Sequence, residues 1–214
     1  MPIGLEGKYI VLEGRDKSGK STQAQMLAGR LDEAGYETTA VREPGSTPMA
    51  EAIRTLLKDK QLERTARTNL WLFSTARVDL IEKIIRPAVA AGKIVVSDRN
   101  WVSTHAYQGY GEGYDLEDIW RVTELATGML MRPDLLFFVD TPNEEIAKRF
   151  EADGVELDYF EAQGPEFFDR VRDGYLATVQ SLGAVAINGL GSKKEVHERI
   201  WAPTQSYLEG LSSD

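Results

Sequence analysis

The chain predicts an α/β fold built on a five-stranded parallel sheet with helices on both faces. Two observations lead there: five short apolar runs alternate with segments of helical spacing, and the first run passes through a glycine-rich turn into a helix. Strands are expected at Lys8–Glu13, Thr39–Arg42, Ile94–Ser97, Leu135–Asp140 and Ala184–Asn188. Helices are expected at Ser21–Ala34, Met49–Leu57, Thr68–Ile85, Leu116–Met129, Asn143–Phe150, Pro165–Leu182 and Lys194–Leu211. Sheets of this kind bind ligands beyond the carboxyl ends of their strands, which directs attention to residues 13–22, 42–48, 97–109 and 140–165. The Gly- and Glu-rich stretch 151–166 is the one place where the regular pattern breaks.

Composition narrows the chemistry. A length of 214 residues, 42% of them hydrophobic, suits one domain spanning 1–214 with a substantial core. The absence of Cys excludes disulfides, thiolate metal sites and Cys nucleophiles, and fits a reducing, cytoplasmic setting. His105 and His197 are the only histidines and lie far apart in sequence, which argues against His-held zinc. Near the amino terminus the apolar run Tyr9–Leu12 is too short for a signal peptide or a membrane span. A net charge of -9 argues against nucleic acid as a partner, because phosphate backbones are held by clustered Lys and Arg. An anionic small substrate must then be held by local positive charge.

Gly14-Arg15-Asp16-Lys17-Ser18-Gly19-Lys20-Ser21 matches the phosphate-loop pattern G-x-x-x-x-G-K-[ST], between a strand and a helix as that pattern requires. Gly14 and Gly19 let the backbone N–H groups of the loop curl around a phosphate, with Thr22 opening the helix behind it. Lys20 is expected to reach the β- and γ-phosphates of ATP and the Ser21 hydroxyl to ligate Mg²⁺. The guanine-recognition motif of GTPases and the signature of transporter ATPases are both missing, and one small domain leaves no room for a motor. A small-molecule kinase remains.

Other pairs carry chemistry if they face one site. Phe73 and Arg77, four apart on a helix, can present a ring and a planar donor to one base; periodicity alone equally allows a core Phe and a solvated Arg. Asp98 and Arg99 end an apolar strand, where the carboxylate can hold Mg²⁺ through water and the guanidinium can fork onto a phosphate; a capping Asp beside a surface Arg is the plainer alternative. Thr104 and Gln108 can read a pyrimidine edge.

Taken together with the loop, Val41-Arg42-Glu43-Pro44-Gly45 with Arg54 behind it, Leu72-Phe73-Ser74-Thr75-Ala76-Arg77, and Asp98-Arg99 followed by Ser103-Thr104-His105-Ala106-Tyr107-Gln108-Gly109 resemble the thymidylate kinase family. Pro133-Asp134-Leu135, leading into a strand that ends at Asp140, is a weaker match. The resemblance implies a three-layer P-loop NTPase fold with a lid at about 151–165, a homodimer, and ATP-dependent phosphorylation of thymidine 5′-monophosphate for DNA-precursor synthesis. It further implies that Phe73 stacks on thymine and Arg77 bonds its O4, that Tyr107 crowds the sugar 2′ position, and that Asp16 accepts from the 3′-hydroxyl. Glu43, Pro44, Ser103, Thr104 and Gln108 fall in its substrate-binding segments, Arg54 and Arg99 on the acceptor phosphate, and Phe160-Glu161 near the base and the metal.

One departure stands out. Bacterial members carry arginines in the lid, whereas here Asp153-Gly154-Val155-Glu156-Leu157-Asp158-Tyr159-Phe160-Glu161 has Tyr159 at the last of those positions, and no Lys or Arg occurs between Phe150 and Asp169. Phosphoryl transfer needs positioned cations, so another must cover the γ-phosphate. Lys17 and Arg15 in the loop and Arg149 at the lid's leading edge are the candidates, as in the basic loop of eukaryotic members. Acceptance of another or modified pyrimidine nucleotide, and a nucleotide-binding protein without transfer, are the rival readings.

Overall fold

The computed structural model describes residues 7–154 and 157–211. The amino-terminal reading for residues 1–6 and lid positions 155 and 156 lie outside the described residues. Strands β1 (Lys8–Glu13), β2 (Thr38–Arg42), β3 (Ile94–Asp98), β4 (Leu135–Asp140) and β5 (Val185–Asn188) form one sheet in the order β2-β3-β1-β4-β5. Every neighbouring pair is parallel. Successive side chains of β1 enter opposite faces: Tyr9 and Val11 join one core cluster, Ile10 and Leu12 the other. Both faces are covered, which is why the strands read as continuous apolar runs and not as alternating ones.

Helices α1 (Lys20–Glu33) and α9 (Lys193–Leu211) supply Leu27, Leu31, Ile200 and Leu208 to one layer. The other is covered by α2 (Pro48–Lys58), α3 (Ala66–Leu80) and α8 (Pro165–Ser181), with Ile53, Leu57, Ala76, Leu80, Val171 and Tyr175. None of the helices among the described residues is long and apolar enough to cross a membrane.

The observed helices differ from the expected ones in four places. The helix expected to end at Ile85 runs on through a π-helical turn, Ile81–Ile85, into α4 (Arg86–Ala90). Pro87 has no N–H to continue the ladder, and the widened turn before it lets the helix pass this point. The segment after β3, for which no helix was expected, forms helix α5 (Trp101–Thr104), capped by the Asn100 side chain accepting from Val102 N at 2.9 Å, and it continues as a π-helical turn, His105–Gly111. Finally, α6 (Leu116–Thr127) gives way to a 3₁₀ turn from Gly128, and α7 (Asn143–Asp153) extends three residues past Phe150, where Gly154 stops it at φ 59°.

The parallel register brings the functional ends together. Asp98 pairs with Leu12 on one side and Arg42 on the other, so the phosphate loop, β2's exit and β3's exit share one edge.

Candidate active site

At that edge lies a cavity of about 500 Å³, a size suited to a small ligand. Asp16, Lys20 and Ser21 line one end, Asp98, Arg99, Arg54 and Ser103 the middle, and Phe73, Thr104, Tyr107, Gln108 and Phe160 the other end, with Glu43 and Pro44 along the side. Most residues singled out from the sequence therefore meet around one space.

The phosphate loop owes its shape to close packing. A Cβ at Gly14 (φ 151°) would lie 2.8 Å from the Val139 carbonyl and 2.8 Å from Ser18 Oγ, and Gly19 begins α1 at φ 98°. Lys20 is buried, donates to the Arg15 carbonyl at 3.3 Å and stands 3.6 Å from the Asp16 carboxylate. Burial, then the Arg99 charge, push its pKa down.

Arg99 is the hub of the site. Its backbone adopts φ 78°, its Nη1 donates to Ser103 Oγ (2.8 Å) and Tyr175 Oη (2.7 Å), and its Nη2 donates to Asp16 Oδ1 (2.9 Å). Below it Glu13 is fully buried and accepts from Asn100 N, Ser103 N, Ser103 Oγ and Tyr175 Oη. Burial raises the Glu13 carboxyl pKa, and the Arg99 charge opposes that rise. For Asp16 burial also pushes upward, yet Arg99 and Lys20 outweigh it and hold the carboxyl well below the usual range. Tyr107 Oη donates to Asp16 Oδ2 at 3.2 Å.

At the aromatic end, Phe73 and Phe160 lie 5.7 Å apart between centroids, and Tyr107 meets Phe160 edge-on at 6.0 Å. Arg77 sits behind this wall. It is buried, with Nε on Glu43 Oε2 (2.7 Å) and Nη2 on Thr104 Oγ1 (2.8 Å), while Nη1 is buried without a partner. On the opposite flank Arg54 Nη1 donates to the Pro44 carbonyl at 3.0 Å.

The remaining cations stand outside the cavity wall. Lys17, at φ 62°, pairs with Asp153 at the end of α7. Arg149 Nη1 donates to the carbonyls of Lys17 (3.0 Å) and Ser18 (3.2 Å), bracing the loop. Arg15 donates to Asn143 and stacks 4.1 Å over the Phe168 ring, so its charge is turned toward a second, smaller depression that Glu161 also lines. Within the lid, Tyr159 lies 4.1 Å beneath the Arg64 guanidinium, and Asp158 pairs with Lys58 at 3.0 Å. The described part of the lid thus rests on the end of α2 and the segment that follows it.

The residues fit a hard cation at one place. Asp98 Oδ1 is buried without a partner beside the exposed Ser21, and both line the cavity. Among the described residues no cluster of three or more acidic or His side chains forms a cage, so a hard cation bound here would need most of its ligands from phosphate and water. Glu161 instead accepts from Asp158 N at 3.0 Å.

Sequence reasoning passed over Glu13 and Tyr175. An acid closing the otherwise apolar run Tyr9–Leu12 was the available signal for Glu13. Tyr175 gave none, because its helical spacing with Phe167 and Val171 is that of a core residue.

A family model described as thymidylate kinase matches residues 12–200. The thymidylate kinase of Chlorobium chlorochromatii (strain CaD3) is 38% identical over 212 residues, covering 94% of this chain and 95% of that relative. For that of Ectopseudomonas mendocina (strain ymp) the identity is 44% over 173 residues, 80% and 81% of the two chains. Among solved structures, the crystal structure of thymidylate kinase from Ehrlichia chaffeensis superposes with a TM-score of 0.72 at 31% identity, over 92% of this chain and 98% of that one.

Proposed function

The chain belongs to the thymidylate kinase family, and from that premise we propose that its cavity receives thymidine 5′-monophosphate while the phosphate loop presents ATP. The observation that carries this reading is Arg99, a buried guanidinium held between the loop's Asp16 and an aromatic-walled pocket, where an acceptor phosphate gives it a further partner.

The thymine ring stacks on Phe73, with Phe160 packed beside that ring, and the unpartnered Nη1 of Arg77, beside Thr104, supports a carbonyl acceptor at the base edge. Tyr107, held to Asp16, walls the sugar and favours deoxyribose, and Asp16 accepts from the 3′-hydroxyl. Arg99 and Arg54 hold the acceptor phosphate. One of its oxygens attacks the γ-phosphorus in line, the bond from that phosphorus to the β–γ bridging oxygen breaks, and ADP leaves. No general base is needed, because the phosphate monoester is already largely ionised near neutral pH. Lys20 and Lys17 neutralise the transferring group, Lys17 by exchanging Asp153 for phosphate. Ser21, and Asp98 through water, would hold a magnesium ion, which would supply charge neutralisation on the phosphates. Over this centre the lid excludes water and suppresses ATP hydrolysis.

Trp71 and Val78, exposed and seven apart on α3, offer an apolar face for a cytoplasmic homodimer; a monomer in sedimentation equilibrium would remove that proposal. The activity itself is tested by incubating the protein with Mg-ATP and, in parallel, dTMP, dUMP, dCMP, dGMP, UMP and thymidine, measuring ADP and phosphorylated acceptor. Fast turnover of dTMP with slower dUMP is expected. Tight ATP binding without transfer to any acceptor would instead point to a protein that has lost catalysis along with the lid arginines.

A further inference from the structure

Behind the aromatic end of the cavity runs a chain of polar side chains that the mechanism above does not use. It begins at Arg64, whose guanidinium donates to the carbonyls of Leu56, Leu57, Asp59 and Leu62 and, through Nε, to Asn69 Oδ1 at 3.0 Å. Asn69, fully buried, donates from Nδ2 to Glu112 Oε1 at 2.7 Å. Glu112 in turn receives Gln108 Nε2 on Oε2 at 3.0 Å.

The chemistry of the groups fixes the direction of every link. A guanidinium only donates, so Asn69 must offer it oxygen and turn its NH₂ group away. That NH₂ group meets a carboxylate, which only accepts, and the second carboxylate oxygen requires the NH₂ end of Gln108 as well. Gln108 is 1% exposed and lines the cavity, and with its Nε2 turned to Glu112 the amide oxygen is the acceptor its side chain keeps for a ligand. The usual ambiguity of a carboxamide is removed by a donor-only group at one end of the chain and an acceptor-only group next to it.

We propose that Glu112, held by Asn69, is a positioning residue that turns the Gln108 carboxamide oxygen toward the base, so that the pocket selects pyrimidines carrying N–H at ring position 3 over those with a bare acceptor there. Thymine and uracil present that donor; cytosine presents a lone pair. The inference deepens the reading above and rests on the base lying against Thr104 and Gln108. Replacing Glu112 by an amide removes the acceptor-only constraint, and Gln108 becomes free to turn over and offer its NH₂ group.

The test is kcat/KM for dTMP and dCMP with Mg-ATP in the full chain and in Glu112→Gln, Glu112→Asp, Asn69→Ala and Gln108→Ala. In Glu112→Gln, which is isosteric, the dTMP/dCMP ratio is expected to fall about tenfold or more, and in Asn69→Ala by a smaller factor in the same direction. Glu112→Asp, still acceptor-only, is expected to keep the ratio within about threefold of the parent. Equal losses for both acceptors in Glu112→Gln, or no change, would overturn the proposal, since a merely structural residue lowers both alike. If Gln108→Ala shifts the ratio while Glu112→Gln does not, the base placement survives and only the orienting role falls. Should Gln108→Ala leave both acceptors untouched, the placement of the base fails first and the proposal with it.

Discussion

The two ends of the cavity are built to different standards. On the acceptor side, Arg99 is bonded to Asp16, Ser103 and Tyr175, Glu13 receives four donors, and the last member of the Arg64–Asn69–Glu112–Gln108 chain stands at the base pocket. The donor side is unfinished: Ser18 Oγ and Asp98 Oδ1 are buried without partners, Lys17 is taken up by Asp153, and Arg149 by backbone carbonyls. The difference has a physical cause. Most buried charge on the acceptor side is paired within the protein, with Arg77 Nη1 and Glu43 Oε1 the atoms left over, whereas the donor groups can wait for a ligand that carries its own charge and metal. Recognition of the acceptor is therefore pre-organised, and assembly of the transfer centre is left to ATP.

The strongest way to break that contrast is Arg99→Met. It removes the proposed acceptor-phosphate ligand and leaves buried Glu13 without its ion-pair partner, so kcat/KM for dTMP is expected to fall about 1,000-fold, together with a lowered melting temperature. Because the loss of stability alone would act on every substrate, the informative companion is Tyr175→Phe. It deletes one hydroxyl between Arg99 and Glu13 and is expected to raise KM for dTMP severalfold with kcat nearly kept. Steady-state kinetics with dTMP varied at saturating ATP reads both. A fall of less than tenfold in Arg99→Met would show that the acceptor phosphate is held elsewhere, and the pre-organised side would lose its centre.

How much of this was legible beforehand depended on how local the signal was. The strands announced themselves because both sheet faces are buried, and Gly14 through Ser21 is a contiguous pattern whose geometry is fixed by close approach to Val139. The helix over residues 101–111 was not among those expected; a Cβ at Gly111 would meet Phe167 at 2.7 Å, so glycine there serves packing against α8. Phe73 and Tyr107 took their roles from resemblance, since a packed core position was the plain alternative for each, whereas Thr104 and Gln108 were paired from their polar chemistry. Glu13 with Tyr175, 162 positions apart, and Asn69 with Glu112 are long-range pairs, and no periodicity in one chain encodes which distant hydroxyl or amide meets a buried carboxylate.

The same distance from local pattern makes the donor side harder to read, and Lys17 is where it can be sharpened. An arginine-free lid supplies no cation to the equatorial oxygens, Arg15 is stacked on Phe168, and Arg149 is occupied with the carbonyls of Lys17 and Ser18. Lys17 differs from both in resting on Asp153, a carboxylate on the lid's leading edge. Lys17→Ala is accordingly expected to lower kcat by about 10- to 1,000-fold while KM for dTMP stays within about twofold, the pattern of a donor that acts only in the transition state. Asp153→Asn separates the lysine from its resting place: if Lys17 works on the γ-phosphate, this variant keeps kcat near that of the parent, because phosphate replaces the lost carboxylate. A Lys17→Ala enzyme with full kcat would move the role to Arg149 or Arg15, and the donor side would then be as pre-organised as the acceptor side, since both of those arginines are already bound in place.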